Sequence, residues 1–268
     1  MRRLDYHIHT KLCRHAIGEM DEYVQVALSK SLDEMGFSDH FIMVYLPQNA
    51  VQDDYCMKKE EIPIYINKVR NLQKKYADIS IKLGIEVDYY EGKKNEIKQL
   101  LSPYEFDYIY CSIHVVDGEV IDDDRFRKIP YGNEIDELYK KYFINLKKAI
   151  ESRLFDIVAH LDLPKKYGER PKRSMNELVE EVIEALVRHK LCIELNTGGY
   201  RKPIKEQYPS LDILRLCYEN DIQVTIGSDS HKPEEVGWEV TRALNLLRDI
   251  GYSHIVGFEN RRKIFYDI

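Results

Sequence analysis

Short runs rich in Ile, Val, Phe and Tyr recur along this chain, and run after run closes on a histidine or an acid. The strand-like runs are 3–8, 34–38, 80–87, 106–113, 155–159, 191–195 and 222–227, with a last one near 253–257. Residues 22–35, 61–76, 93–101, 134–150, 174–190, 210–220 and 233–250 carry helical periodicity between them. Val24, Ala27, Leu28 and Leu32, for instance, fall on one stripe. Ser174-Met175-Asn176-Glu177 has the form of a capping box at a helix start. Strands and helices alternating in one direction build a parallel sheet, and seven or eight units favour a closed or nearly closed α/β barrel. No repeat, low-complexity tract or linker divides the chain, so one domain is expected over residues 1–268.

Composition narrows the class. At 268 residues and 44% apolar the chain can bury a large core, yet no apolar run approaches the roughly 20 residues of a membrane span. The start, Met1-Arg2-Arg3-Leu4-Asp5, lacks the apolar stretch of a secretory signal. A net charge of −6 argues against general affinity for nucleic acid. Cys13, Cys56, Cys111, Cys192 and Cys217 are scattered, with no CxxC pair, so neither a disulfide framework nor a zinc ribbon is indicated. A cytoplasmic protein is expected, with no membrane or nucleic-acid partner.

Chemistry in such a barrel collects at the carboxyl ends of the strands. His7 and His9 end the first run; alternate residues of a strand share a face, so both imidazoles aim at one point. His15 follows in the loop. Asp39 and His40 close the second run, Glu86 and Asp88 the third, His114 the fourth, His160 the fifth, Glu194 and Asn196 the sixth, Asp229 and His231 the seventh. A single histidine closing a strand is more often a hydrogen-bonded structural residue than a ligand. Here seven of nine histidines occupy equivalent places on different strands. Independent accidents do not explain that, and His with Asp or Glu suits zinc, iron or manganese. His189, in a helix's last turn, and His254, at the entry to the last strand, read as structural.

Taken together, His7-Ile8-His9-Thr10, His15, Ser38-Asp39-His40, Gly84-Ile85-Glu86, Ser112-Ile113-His114, Ala159-His160 and Gly227-Ser228-Asp229-Ser230-His231 resemble the polymerase-and-histidinol-phosphatase (PHP) family, in the family's order. The resemblance implies a distorted seven-stranded TIM-like barrel holding two to three divalent metal ions. Carried over, His7, His9, Glu86 and Asp229 hold one metal; Glu86 bridges to a second, completed by His114 and His160; His15, His40 and His231 hold a third. The length, His160-Leu161-Asp162-Leu163-Pro164-Lys165-Lys166-Tyr167 and Glu194-Leu195-Asn196-Thr197-Gly198-Gly199-Tyr200-Arg201-Lys202 resemble the family's monofunctional phosphatases of histidinol phosphate. The implied reaction releases L-histidinol and inorganic phosphate.

That chemistry fits the residues. A phosphate monoester dianion repels nucleophiles and has a poor leaving group; clustered divalent cations address both difficulties. The expected step is direct attack on phosphorus by a metal-held hydroxide, with Glu86, Asp229 and His231 at the reacting centre and no phosphoenzyme. Arg201 offers a planar fork for phosphate, and Lys165 a second cation. Asp5, Asp39 and Asn196 are expected to accept the outer N–H groups of ligating imidazoles. Loop acids and aromatics would receive the amine and imidazole of the substrate. Tyr45, Asp53, Asp54 and Tyr89 are so placed, but with 20 tyrosines in the chain none is singled out. Three rivals remain: another small phosphate ester or nucleotide as substrate, a metal-dependent amidohydrolase or deaminase, and a non-catalytic sensor.

Overall fold

A computed structural model describes residues 2–41, 55–123 and 131–268. Tyr45, Asp53 and Asp54 lie outside the described residues. The strands are β1 (Leu4–Ile8), β2 (Glu34–Phe37), β3 (His40–Phe41), β4 (Ser80–Asp88), β5 (Tyr108–Ser112), β6 (Val115–Val116), β7 (Glu119–Val120), β8 (Ile157–Val158), β9 (Cys192–Asn196), β10 (Val224–Gly227), β11 (His254–Glu259) and β12 (Arg262–Asp267). Seven of them line up in the order β1-β2-β4-β5-β8-β9-β10, with β3 resuming the β2 path beside the second half of β4. All these pairings are parallel. The circuit closes through the loop after β10, where His9 N–H donates to the Ser230 carbonyl (2.9 Å) and Ser230 N–H donates to the His7 carbonyl (3.1 Å). The expected nearly closed α/β barrel of seven parallel strands is therefore the architecture.

The helices that cover the barrel are α1 (Met20–Ser29), α2 (Ile62–Lys75), α3 (Lys94–Leu101), α4 (Ile135–Glu151), α5 (Asn176–His189), α6 (Leu211–Glu219) and α7 (Val240–Ile250). Each turns its periodic apolar face inward; α4, for example, buries Leu138, Tyr142, Leu146 and Ala149. Inside the barrel, Tyr6 and Tyr108 stack at 4.8 Å. Gly84 makes room for them, since a Cβ there would sit 2.2 Å from the Tyr108 ring.

Four local expectations are corrected. The first helix stops at Ser29 rather than running to Met35, because Ser31 turns left-handed (φ 54°) and the chain re-enters the sheet at Glu34. The stretch expected as one helix from 233 begins as a 3₁₀ turn, Pro233–Glu235, and breaks at Gly237 (φ 66°) before α7. No capping box forms at α5: the helix starts at Asn176, one residue late for Glu177 to reach back, and Ser174 Oγ accepts only the Asn176 N–H. The run near 253–257 is not a barrel strand. It pairs antiparallel with β12 in a hairpin across the amino end of the barrel.

Candidate metal centre at the carboxyl end of the barrel

The strands deliver their polar termini to one place. His7 and His9 leave β1 on one face, Glu86 lies near the end of β4, His114 and His160 follow β5 and β8, and Asp229 and His231 follow β10. Two of these residues occupy left-handed backbone, His160 (φ 21°) and Asp229 (φ 53°). Such strain persists only where the surroundings over-determine it. For His160 they do: its N–H donates to Glu194 Oε2 (3.1 Å) and its carbonyl accepts the Tyr142 hydroxyl (3.3 Å).

Glu86 is the hub. Its Oε2 lies 3.2 Å from His7 Nε2, 3.6 Å from His9 Nε2 and 2.9 Å from His40 Nδ1. Its Oε1 faces the other way, 3.1 Å from His160 Nε2 and 3.7 Å from His114 Nε2. Burial opposes ionisation of Glu86, but His40, His7 and His160 outweigh it and hold the carboxyl well below its usual range. Asp229 Oδ1 stands 3.2 Å from His9 Nε2 and 3.9 Å from His7 Nε2. The structure thus brings together His7, His9, His15, His40, Glu86, His114, His160, Asp229 and His231. Cys13, overlooked in the sequence, joins them: its thiol groups with His15 and His231, and with His9 and Asp39.

Outer partners fix which ring nitrogen points inward. His7 Nδ1 donates to Glu194 Oε1 (2.8 Å) and His114 Nδ1 to Asp88 Oδ1 (3.0 Å). His15 Nδ1 donates to the Cys13 carbonyl (2.8 Å) and His231 Nδ1 to the Asp229 carbonyl (3.2 Å). Carboxylates and carbonyls only accept, so in each neutral ring Nε2 presents a lone pair. At His15 and His231 the two Nε2 atoms face each other at 3.0 Å. Burial, with His40 and His9, lowers His15 to about 4, and burial with His9 and His15 holds His231 well below its ordinary value. At neutral pH two lone pairs therefore meet. His7 Nε2, both nitrogens of His9, His40 Nδ1 and Glu86 Oε2 are buried without a hydrogen-bond partner among the described residues. Buried polar atoms left unpaired cost free energy, and convergent imidazole and carboxylate donors are the set that divalent metals take. The residues present fit such ions. His114 tells the same story electrostatically: burial would lower it, but Asp88 and Asp122 outweigh burial and push it up to about 10, a demand for positive charge.

Glu194 is the outer residue the sequence reading left without a role. Beyond His7 and His160 it accepts the Asn196 side-chain amide (3.0 Å). It fits only because Gly227 stands opposite, where a Cβ would meet Glu194 Oε1 at 1.9 Å. The three expected acceptors fare differently. Asp39 lies 3.7 Å from His9 Nδ1 and also receives the Thr10 hydroxyl. Asn196 acts at one remove, through Glu194, and accepts the Gly198 N–H (2.8 Å). Asp5 meets no imidazole ring; it accepts from Ser228 N (2.8 Å), Ser228 Oγ (2.5 Å) and Gly237 N (2.7 Å), stapling β1 to the loop after β10.

A cavity of about 350 Å³ opens above the cluster, lined in part by His114, Asp122, His160, Lys166, Lys202 and Tyr208. Lys165 belongs elsewhere. It is fully buried, with Nζ on Asp162 Oδ2 (2.9 Å) and the Gln207 carbonyl (2.7 Å). The 3₁₀ turn Leu163–Tyr167 rotates successive side chains apart, so Lys166 rather than Lys165 faces the cavity, its Nζ held by the Asp122 carbonyl (2.6 Å). Arg201 Nη2 donates to the carbonyls of Ser228 (2.7 Å) and Asp229 (2.9 Å) and braces the Asp229 loop, while its Nη1 is buried without a hydrogen-bond partner among the described residues. Tyr89 packs edge-on to Phe155.

Residues 5–198 match the model of the PHP domain. The chain belongs to the PHP domain family. It is 33% identical to a "Probable histidinol-phosphatase" of Deinococcus radiodurans over 96% of this chain and 97% of that one. It is 27% identical to the histidinol-phosphatase of Bacillus subtilis over 89% of this chain and 97% of that one. Its fold superposes with a TM-score of 0.84, at 22% identity, on histidinol phosphate phosphatase from Lactococcus lactis, a crystal structure complexed with zinc, L-histidinol and phosphate, covering 98% and 99% of the two chains.

Proposed function

We propose that this chain is a metal-dependent phosphatase that hydrolyses L-histidinol phosphate to L-histidinol and inorganic phosphate. The observation that carries the metal is the His15–His231 contact, two half-buried lone pairs 3.0 Å apart that a cation between them would reconcile. The substrate rests on the relatives: two carry the histidinol-phosphatase name, and the Lactococcus lactis protein of the same fold holds histidinol and phosphate together with zinc. His7, His9, Glu86 and Asp229 would hold one ion, Glu86 with His114 and His160 a second, and His15, His40 and His231 a third. Bound there, zinc, iron or manganese supplies Lewis acidity, neutralising charge on the ester and providing a nucleophile from water near neutral pH.

The chain's own residues do the rest. Glu194 and Asp88 hold His7 and His114 in the tautomer that turns Nε2 inward. The two oxygens of Glu86 serve the two sides of the cluster. Lys166 and Lys202 line the cavity as cations for phosphoryl oxygens, replacing Lys165 in that role. Asp122 pins Lys166 and, held ionised against burial by Lys166 and His114, offers negative charge for an ammonium. One continuous apolar core from Leu4 to Phe258 supports reading residues 1–268 as a single domain. Cys13, Cys111, Cys192 and Cys217 are buried as free thiols, which supports the cytoplasm as its compartment. Among the described residues no helix is long and apolar enough to cross a membrane.

The test pairs metal analysis of protein purified without added metal with turnover of a panel of phosphate esters. Bound divalent ions and a kcat/KM for histidinol phosphate orders of magnitude above the panel are expected. Release of phosphate that survives exhaustive chelation, or equal rates across the panel, overturns the reading.

A further inference from the structure

Tyr208 is a buried residue whose polar atom no described residue uses. It is 1% exposed, and its phenol oxygen is shielded from solvent with no hydrogen-bond partner. A buried hydroxyl without a partner costs free energy, and such exceptions call for a reason. Its backbone is anything but loose: Tyr208 N–H donates to the Asn196 carbonyl (2.9 Å), and Asn196 N–H donates back to Tyr208 (2.7 Å). That bridge ties the residue to the end of β9, the strand that carries Glu194. The ring stands edge-on to His160, with centroids 6.3 Å apart, and lines the cavity above the cluster beside Lys166 and Lys202. The buried Lys165 ammonium lies 5.2 Å from the ring centroid, where it draws electron density from the phenol and strengthens the O–H as a donor.

We infer that Tyr208 is a phosphate-contacting residue, its phenol O–H donating a hydrogen bond to a phosphoryl oxygen of the ester and of the product phosphate. The inference rests on the phosphatase reading and adds to it a neutral donor among cations. A neutral donor has a clear use. Phosphate must be held firmly enough to be oriented yet released as product, and a hydroxyl stabilises it without a further full charge.

Tyr208→Phe removes one oxygen that has no partner among the described residues, so the fold should not notice. The metal-loaded variant is expected to lose affinity for inorganic phosphate, measured by calorimetry, by about 10- to 100-fold, the value of a hydrogen bond to a charged group. Its kcat/KM for the ester should fall by a similar factor, while metal content and Tm match the parent. A phosphate affinity within twofold of the parent overturns the inference, even if KM for the ester has changed. A drop in Tm of several degrees overturns it too, since the hydroxyl would then be structural. If the parent protein releases no phosphate from any monoester yet still binds inorganic phosphate through Tyr208, the phosphatase reading fails and the phosphate contact stands.

Discussion

The two ends of the barrel treat buried polarity in opposite ways. At the amino end the Tyr6 hydroxyl donates to Glu34 and accepts the Phe258 N–H (2.9 Å), while the Tyr108 hydroxyl donates to the Tyr6 carbonyl (2.7 Å). Tyr266 of the hairpin adds a second donor to Glu34 (3.3 Å). Each of these hydroxyls has a protein partner, and the β11–β12 hairpin lies over them. At the carboxyl end, imidazole and carboxylate atoms equally hidden from water point at one another without bonding. The tyrosine–Glu34 group is complete in itself; the imidazole–carboxylate group is complete only with ions and a substrate. Unpaired imidazole and carboxylate atoms converging on one point mark the working end of this barrel.

The comparison breaks most visibly at the hub. Glu86→Gln should remove bound metal and lower kcat/KM by on the order of 10³-fold, several kcal/mol of transition-state stabilisation. Metal analysis and steady-state kinetics check this, and the metal-free Tm should change little. Tyr6→Phe is the mirror experiment. Leaving Glu34 and the Phe258 N–H short of a partner should cost about 1–3 kcal/mol of stability in a denaturant titration, with metal content unchanged. Glu194→Gln sharpens the picture: it keeps the shape but unsettles the His7 tautomer, and a loss of about 10- to 100-fold in metal affinity is expected by competition with a chelator.

The smallest effect is on pH. His15 titrates near 4 in the fold against 6.5 in an unfolded chain. Between those values the unfolded state binds the extra proton, so the metal-free protein should lose stability as pH falls from about 6.5 towards 4. His15→Asn should flatten that limb in a series of thermal melts.

Much of this end was legible beforehand because strands obey a period of two. His7-Ile8-His9 on β1 had to present both imidazoles to one face, and a run closing on Glu86 or Asp229 had to deliver it to the same rim. Where the chain leaves strands the rule lapses. Nothing in Lys165-Lys166 says which lysine enters the cavity, because a 3₁₀ turn reorients each residue. Asp5 looked like a partner for His7 from strand alternation, yet its real partners, Ser228 and Gly237, lie more than 200 residues away. Glu194 needed the empty space of Gly227 on the neighbouring strand, and Tyr208 needed a loop folded back onto Asn196. The last strand was visible as a strand; its antiparallel mate, β12, with Arg262, Lys263 and Asp267 among six residues, carried too weak an apolar pattern to be seen.

The most direct measurement is an anomalous difference map at the zinc edge from crystals of this protein grown with zinc. Two or three peaks are predicted at the barrel mouth, one on each side of the Glu86 carboxylate and another between His15 and His231. An empty mouth, with the imidazoles still crowded together or with zinc only at the molecular surface, would contradict the account.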